Sequence, residues 1–185
     1  PLYDIFPKSG ISQTEARKKL SLNGNILLFF GYIRKYKGLG VLIRAMTHIL
    51  KKMDCRLVVA GEFYESKEKY DRLIAEEGLE GRIVFHDRYI PNEEVEPYFA
   101  AADALVLPYT QASQSGVVQL AYHFGKPAIS TRVGGLAEVI EHGRTGYLVS
   151  ANDPQALANA ILEFYNSKET VPFGQNIDSL KSGFS

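Results

Sequence analysis

Two short segments carry side chains and backbone able to hold an anion. The first, Gly31-Tyr32-Ile33-Arg34-Lys35-Tyr36-Lys37-Gly38, places three cations between an apolar run and a helical pattern. Arg34 and Lys37 are close enough in sequence to reach one phosphate group, and Gly38 relaxes the turn. The second runs from Pro108 to Gln119 and carries Gln111, Ser113, Gln114 and Ser115 before Gly116 and Val117, where a helix begins. A helix start presents backbone amides and a positive dipole end to an anion, and small residues let a phosphate approach the main chain. Each segment also has a plainer reading: a solvated basic loop for the first, a capped helix for the second.

Other chemistry finds little support. There is no HExxH, no cysteine pair, no GxSxG and no phosphate-loop lysine motif. His48, His86, His123 and His142 fall in separate elements without ligand spacing, so packed or surface imidazoles are expected, with no metal and no cofactor. Gly38-Leu39-Gly40 opens a helix, but Ile43 stands where a dinucleotide fingerprint needs its third glycine. Twenty-one basic residues balance 21 acidic ones, which leaves no global field to draw in nucleic acid. The single cysteine, Cys55, can form neither an internal disulfide nor a thiolate metal cluster, which suits a reducing, cytoplasmic setting.

The elements that must position these segments are legible as alternation. Six apolar runs, Ile26 to Phe30, Arg56 to Ala60, Ile83 to His86, Ala104 to Leu107, Ala128 to Thr131 and Gly146 to Val149, read as strands separated by helical patterns. Leu42, Ala45, Met46, Ile49 and Leu50 form one buried helical stripe. Helix starts are marked by Ser12-Gln13-Thr14-Glu15, by Asn92 before an acidic turn, and by Asp153-Pro154. The reading is α/β: a Rossmann-like, doubly wound parallel sheet over about residues 24 to 168, with both anion-binding segments at the C-terminal edge where such sheets bind ligands. At 185 residues, with 45% hydrophobic and 23% charged residues, the chain can bury such a core, and its longest apolar run is far short of the roughly 20 residues that cross a bilayer.

The ends read differently. Residues 1–11 hold two prolines and little periodicity, as in a linker from a preceding domain. Residues 169–185 form a polar tail in which Ile177, Leu180 and Phe184 make a short apolar stripe, expected to lack its partner here and to return to a missing domain.

In order along the chain, these motifs resemble the C-terminal, donor-binding half of a retaining glycosyltransferase of the two-Rossmann-domain (GT-B) type, the group-1 or family-4 class. The matching residues are Gly31 with Lys37-Gly38, Val58 to Glu62, Ala101 to Pro108, Gly125-Lys126-Pro127-Ala128-Ile129, Thr131 to Ile140, Gly143 to Val149 and Asp153-Pro154. The resemblance covers roughly residues 12 to 168.

What the resemblance implies is a hexosyltransferase of glycan biosynthesis. Its partners are a nucleotide-sugar donor held by this half and a glycan or lipid-linked acceptor held by a missing N-terminal domain, with peripheral membrane association of the intact protein in view and transfer by this chain alone not expected. Lys37 matches the diphosphate lysine, and Arg34 is the candidate for the accompanying arginine, because Tyr32 occupies that residue's usual position. The backbone at Arg88, Tyr89 and Ile90 matches the loop around the base. Ser115, Gly116 and Val117 fall at the diphosphate turn, with Gln111, Ser113, Gln114 and Gln119 near the sugar or ribose. The family's paired glutamates fall on Ala112 and Leu120, while Gln111 and Gln119 keep their spacing displaced by one residue. Amides can bond hydroxyls but carry no charge to support an oxocarbenium ion. A sugar-nucleotide epimerase of the same architecture and a non-catalytic nucleotide-sugar-binding module remain as alternatives.

Overall fold

A computed structural model describes residues 4–111 and 116–182. The elements run α1 (Gln13–Lys19), β1 (Ile26–Phe30), α2 (Leu39–Leu50), β2 (Arg56–Ala60), α3 (Glu68–Glu76), β3 (Ile83–His86), α4 (Val95–Ala101), β4 (Ala104–Leu107), α5 (Gly116–His123), β5 (Ala128–Thr131), α6 (Leu136–Val139), β6 (Gly146–Val149), α7 (Pro154–Ser167) and α8 (Phe173–Ser182). The six strands form one sheet in the order β3-β2-β1-β4-β5-β6, every neighbouring pair parallel.

Strand alternation divides the core in two. Leu27 and Phe29 pack with Leu57 and Val59 against α2, α3 and α7, whereas Ile26 and Leu28 pack with Val58 and Leu105 against α1, α4 and α5. A sheet covered on both faces needs apolar residues on both, which is why these strands read as continuous runs. Leu42, Ala45, Met46 and Ile49 of α2 are fully buried, each large side chain contributing about 1.5–3 kcal/mol.

The strand order reverses between β1 and β4, which pair through Leu27 with Ala104 and Leu28 with Leu105. The crevice beyond their C-terminal ends is the topological switch point, where open α/β sheets bind ligands. At the opposite edge Asp103 ties the same two strands together. Its carboxylate accepts from the Ile26 amide at 2.9 Å, the Tyr165 hydroxyl at 2.9 Å and Arg17 at 3.1 Å. Burial pushes the Cys55 thiol nearby up to about 12, so it is inert.

Two of the three helix-start signals appear as caps. Ser12 Oγ accepts from the Glu15 amide at 3.1 Å, and Asp153 Oδ1 from the Ala156 amide at 2.9 Å, with Pro154 opening α7. Asn92 instead lies within a 3₁₀ turn, Asn92–Glu94, and makes no side-chain cap. Asp153→Ala is expected to cost about 1 kcal/mol, lowering Tm by about 2–4 °C in a thermal melt. No change would mean that Pro154 alone starts α7.

Both ends pack on the domain, and the tail departs from expectation. Ser9 and Gly10 amides donate to the Glu96 carboxylate at 2.9 and 3.2 Å, and Lys8 reaches the His123 carbonyl at 3.1 Å, so residues 8–10 lie against α4 and α5. The apolar stripe of the tail has its partner within this domain: Ile177 is fully buried and Leu180 packs on the same core. Phe184 lies outside the described residues. No helix among the described residues is long and apolar enough to cross a membrane.

Candidate functional site at the switch point

The loop after β1 is built around a lysine that has no acid partner among the described residues. Gly31, at φ 113°, donates its amide to the Ala60 carbonyl at 3.0 Å. Lys35–Lys37 form a single 3₁₀ turn in which the Lys37 amide bonds the Arg34 carbonyl at 3.0 Å. This turn folds Lys37 back over the strand end, so that a Cβ on Gly31 would sit 3.4 Å from Lys37 Nζ. Lys37 is 8% exposed, its ammonium 5.9 Å from the centre of the Tyr109 ring, and among the described residues it makes no ion pair. Burial first, and the Arg34 charge second, lower its pKa to about 8. A buried amine without a carboxylate, at the mouth of a sheet, is an arrangement able to take an anion.

The loop after β4 closes over the first. Thr110 donates both its amide, at 2.8 Å, and its hydroxyl, at 3.1 Å, to the Tyr36 carbonyl. Gly38, at φ 71°, lies so close that a Cβ would stand 1.9 Å from the Pro108 carbonyl oxygen. The side chain of Val117, in the first turn of α5, comes within 3.9 Å of the same Gly31 position. Val117 thus brings the first turn of α5, its positive end, to the crevice. Ser113, Gln114 and Ser115 lie outside the described residues.

Hollows flank this centre. One of about 210 Å³ is mainly apolar, lined by Phe30, Gly31, Gly61, Tyr89, Ile90 and Phe6. Arg88 is not among the residues lining it: its side chain is turned to Glu94, at 2.6 Å, and to the Tyr89 carbonyl. A second, of about 470 Å³, holds Arg34, Tyr64, Thr110 and Gln111. Gln119 opens onto a third, of about 310 Å³, with Gly116, Gly135 and Glu138. The two glutamines therefore line different hollows.

Sequence reasoning gave no role to Phe6, assigned to the linker, or to Glu138, although Gly134-Gly135-Leu136-Ala137-Glu138 was visible as a motif. Nor did it see the Tyr64 ring, which stacks on Tyr32 with centroids 4.5 Å apart. The histidines are dispersed: His86 Nδ1 lies 2.7 Å from the Tyr98 hydroxyl, and His142 Nδ1 accepts from the Leu148 amide at 3.0 Å. No group of three or more metal-ligating side chains is found among the described residues.

Comparison with known proteins gives a consistent result. The family model described as Glycosyl transferases group 1 matches residues 24–167. A D-inositol 3-phosphate glycosyltransferase of Pseudarthrobacter chlorophenolicus is 33% identical over 175 residues, a match covering 92% of this chain and 42% of that protein. The C-terminal domain of a group 1 family glycosyl transferase from Francisella tularensis superposes with a TM-score of 0.82 at 25% identity, over 98% of this chain and 96% of that one. Sucrose-phosphate synthase from Thermosynechococcus elongatus gives 0.83 at 26% identity, over 97% of this chain and 46% of that one. The chain spans less than half the length of the curated relative it matches.

Proposed function

This chain belongs to the group 1 glycosyl transferase family, and on that premise we propose that it is the donor-binding part of a retaining glycosyltransferase, holding a nucleotide-sugar in the switch-point crevice. The observation that carries the reading is Lys37, a buried amine with no acid beside it among the described residues, folded over Gly31. In this reading Lys37 and Arg34 bind the diphosphate with the turn from Ser115 to Val117. The base lies in the apolar hollow against Tyr89 and Ile90, with the backbone of Arg88 behind it. Gln111, Ser113, Gln114 and Gln119 serve the sugar and ribose, and Glu138 shares the hollow of Gln119.

The crevice supplies electrostatic stabilisation of a leaving nucleoside diphosphate. As the glycosidic bond breaks, negative charge grows on the diphosphate, and cations already fixed in a low-dielectric site stabilise that charge without reorganising. An acceptor, a glycan or a lipid-linked sugar, is assigned to a part of the protein outside this chain. Calorimetric titration of the chain with UDP-, GDP- and ADP-hexoses tests the reading. Saturable binding of at least one supports it, and binding of none at millimolar concentration contradicts it.

The lysine makes the binding pH-dependent. Only its ammonium form attracts a diphosphate, and with a pKa of about 8 in the free site that form is nearly complete at pH 7 and lost as pH rises. The bound anion raises the pKa, so binding takes up a proton above about pH 8. Affinity should then fall by up to about tenfold per pH unit between the free and bound pKa values. Titrations from pH 7 to 9.5 read the slope, which should vanish in Lys37→Ala; a flat wild-type profile would show that the amine stays clear of the ligand.

A further inference from the structure

The loops after β1 and β2 are zipped edge to edge. The Ile33 amide donates to the Glu62 carbonyl at 2.8 Å, and the Tyr64 amide donates back to the Ile33 carbonyl at 3.0 Å. Ile33 itself is fully buried, so its neighbours Tyr32 and Arg34, on the alternate positions of an extended segment, project the other way, toward solvent. There both meet Tyr64. Its ring stacks on Tyr32 at 4.5 Å with 20° between the planes, and the Arg34 guanidinium carbon lies 4.8 Å from its centre.

This arrangement is electrically unusual. Arg34 and Lys37 are held near enough for one to depress the ionisation of the other, and neither has a carboxylate partner among the described residues. A carboxylate would hold the guanidinium by its N–H groups and use them up. An aromatic ring holds it by its face and leaves the in-plane donors available for the oxygens of a phosphate. Tyr64 is 50% exposed, so its ring contributes little as core, while one of its contacts braces it on Tyr32 and the other holds the Arg34 guanidinium.

We infer that Tyr64 is a positioning residue that holds Arg34, from two places beyond the position where the resembling family keeps its arginine, ready for the donor diphosphate; Tyr32, at that position, braces Tyr64. The inference rests on the donor-site reading above. Holding the guanidinium before the ligand arrives removes an ordering cost from binding.

The test is a double-mutant cycle on the 185-residue chain, read by calorimetry with whichever of UDP, GDP and ADP binds tightest. Tyr64→Ala should weaken binding about threefold to tenfold, whereas Tyr64→Phe, which keeps the ring, should stay within about twofold of wild type. In an Arg34→Ala background Tyr64→Ala should add nothing, because its effect passes through the arginine. The matching nucleoside, which lacks phosphates, should bind both Tyr64 variants equally, which separates positioning from collapse of the base hollow. Equal losses in both backgrounds, a loss of nucleoside binding, or no loss in Tyr64→Ala would each overturn the inference. Arg34→Ala and Lys37→Ala separate this failure from a deeper one: if both retain wild-type affinity, the donor-site reading falls as well.

Discussion

Lys37→Ala is expected to weaken binding of a nucleoside diphosphate by about 1.5–3 kcal/mol, roughly 10- to 150-fold. The size follows from where the ammonium sits. The residue as a whole is 8% exposed, so the ammonium is partly desolvated, and among the described residues it lacks a carboxylate, so the ligand would supply its counter-charge. Removing it should leave the fold intact or slightly more stable, because a buried cation depressed to a pKa of about 8 costs the apo state free energy. Calorimetry at fixed ionic strength with a parallel melt reads both quantities. Unchanged affinity would mean that the Lys37 ammonium does not bind the diphosphate.

The largest effect on stability is expected at Gly38. A left-handed conformation costs an L-residue about 1–2 kcal/mol, and here a Cβ would also lie 1.9 Å from a backbone oxygen, that of Pro108, which cannot swing aside. Together these put Gly38→Ala at about 2–5 kcal/mol, with the loss of donor binding as the two loops are forced apart. Gly125 is the internal comparison. It has the same φ, 71°, with nothing within 4 Å of its would-be Cβ, so Gly125→Ala should cost only the conformational part, about 1–2 kcal/mol. Denaturant melts of the two variants read the difference; equal losses would mean that the contact with Pro108 yields and that the loops are not held as described.

The scaffold was legible because its signals are local. Strands buried on both faces are mostly apolar, so the runs from Ile26 to Phe30 and from Ala104 to Leu107 announce themselves, and Asp153 caps α7 three residues ahead of the amide it bonds. Asn92 misled because the acidic turn after it tightens into a 3₁₀ turn before α4 begins. The tail stripe misled in another way: period marks which residues want burial but not against what, and Ile177 finds its partners in this core.

The site was half legible. Arg34, Lys37 and Gly38 stood out as a basic turn between strand and helix. The Tyr32–Tyr64–Arg34 ladder did not, since it joins loops from two different strands and exists only once β1 and β2 pair. Gln111 and Gln119 looked like a pair by spacing, yet one precedes α5 and the other lies within it, and they line different hollows. Phe6 could not be assigned from a segment without periodicity, although it lines the same hollow as Tyr89.

A crystal structure of the chain with its tightest nucleotide-sugar bound tests the donor-site claim most directly. The account predicts the diphosphate at the switch point, with oxygens about 3 Å from Lys37 Nζ and from the Arg34 guanidinium, and the base in the hollow against Tyr89 and Ile90. A nucleotide bound elsewhere on the domain, or one bound at the crevice with Lys37 and Arg34 turned away from its phosphates, would contradict it.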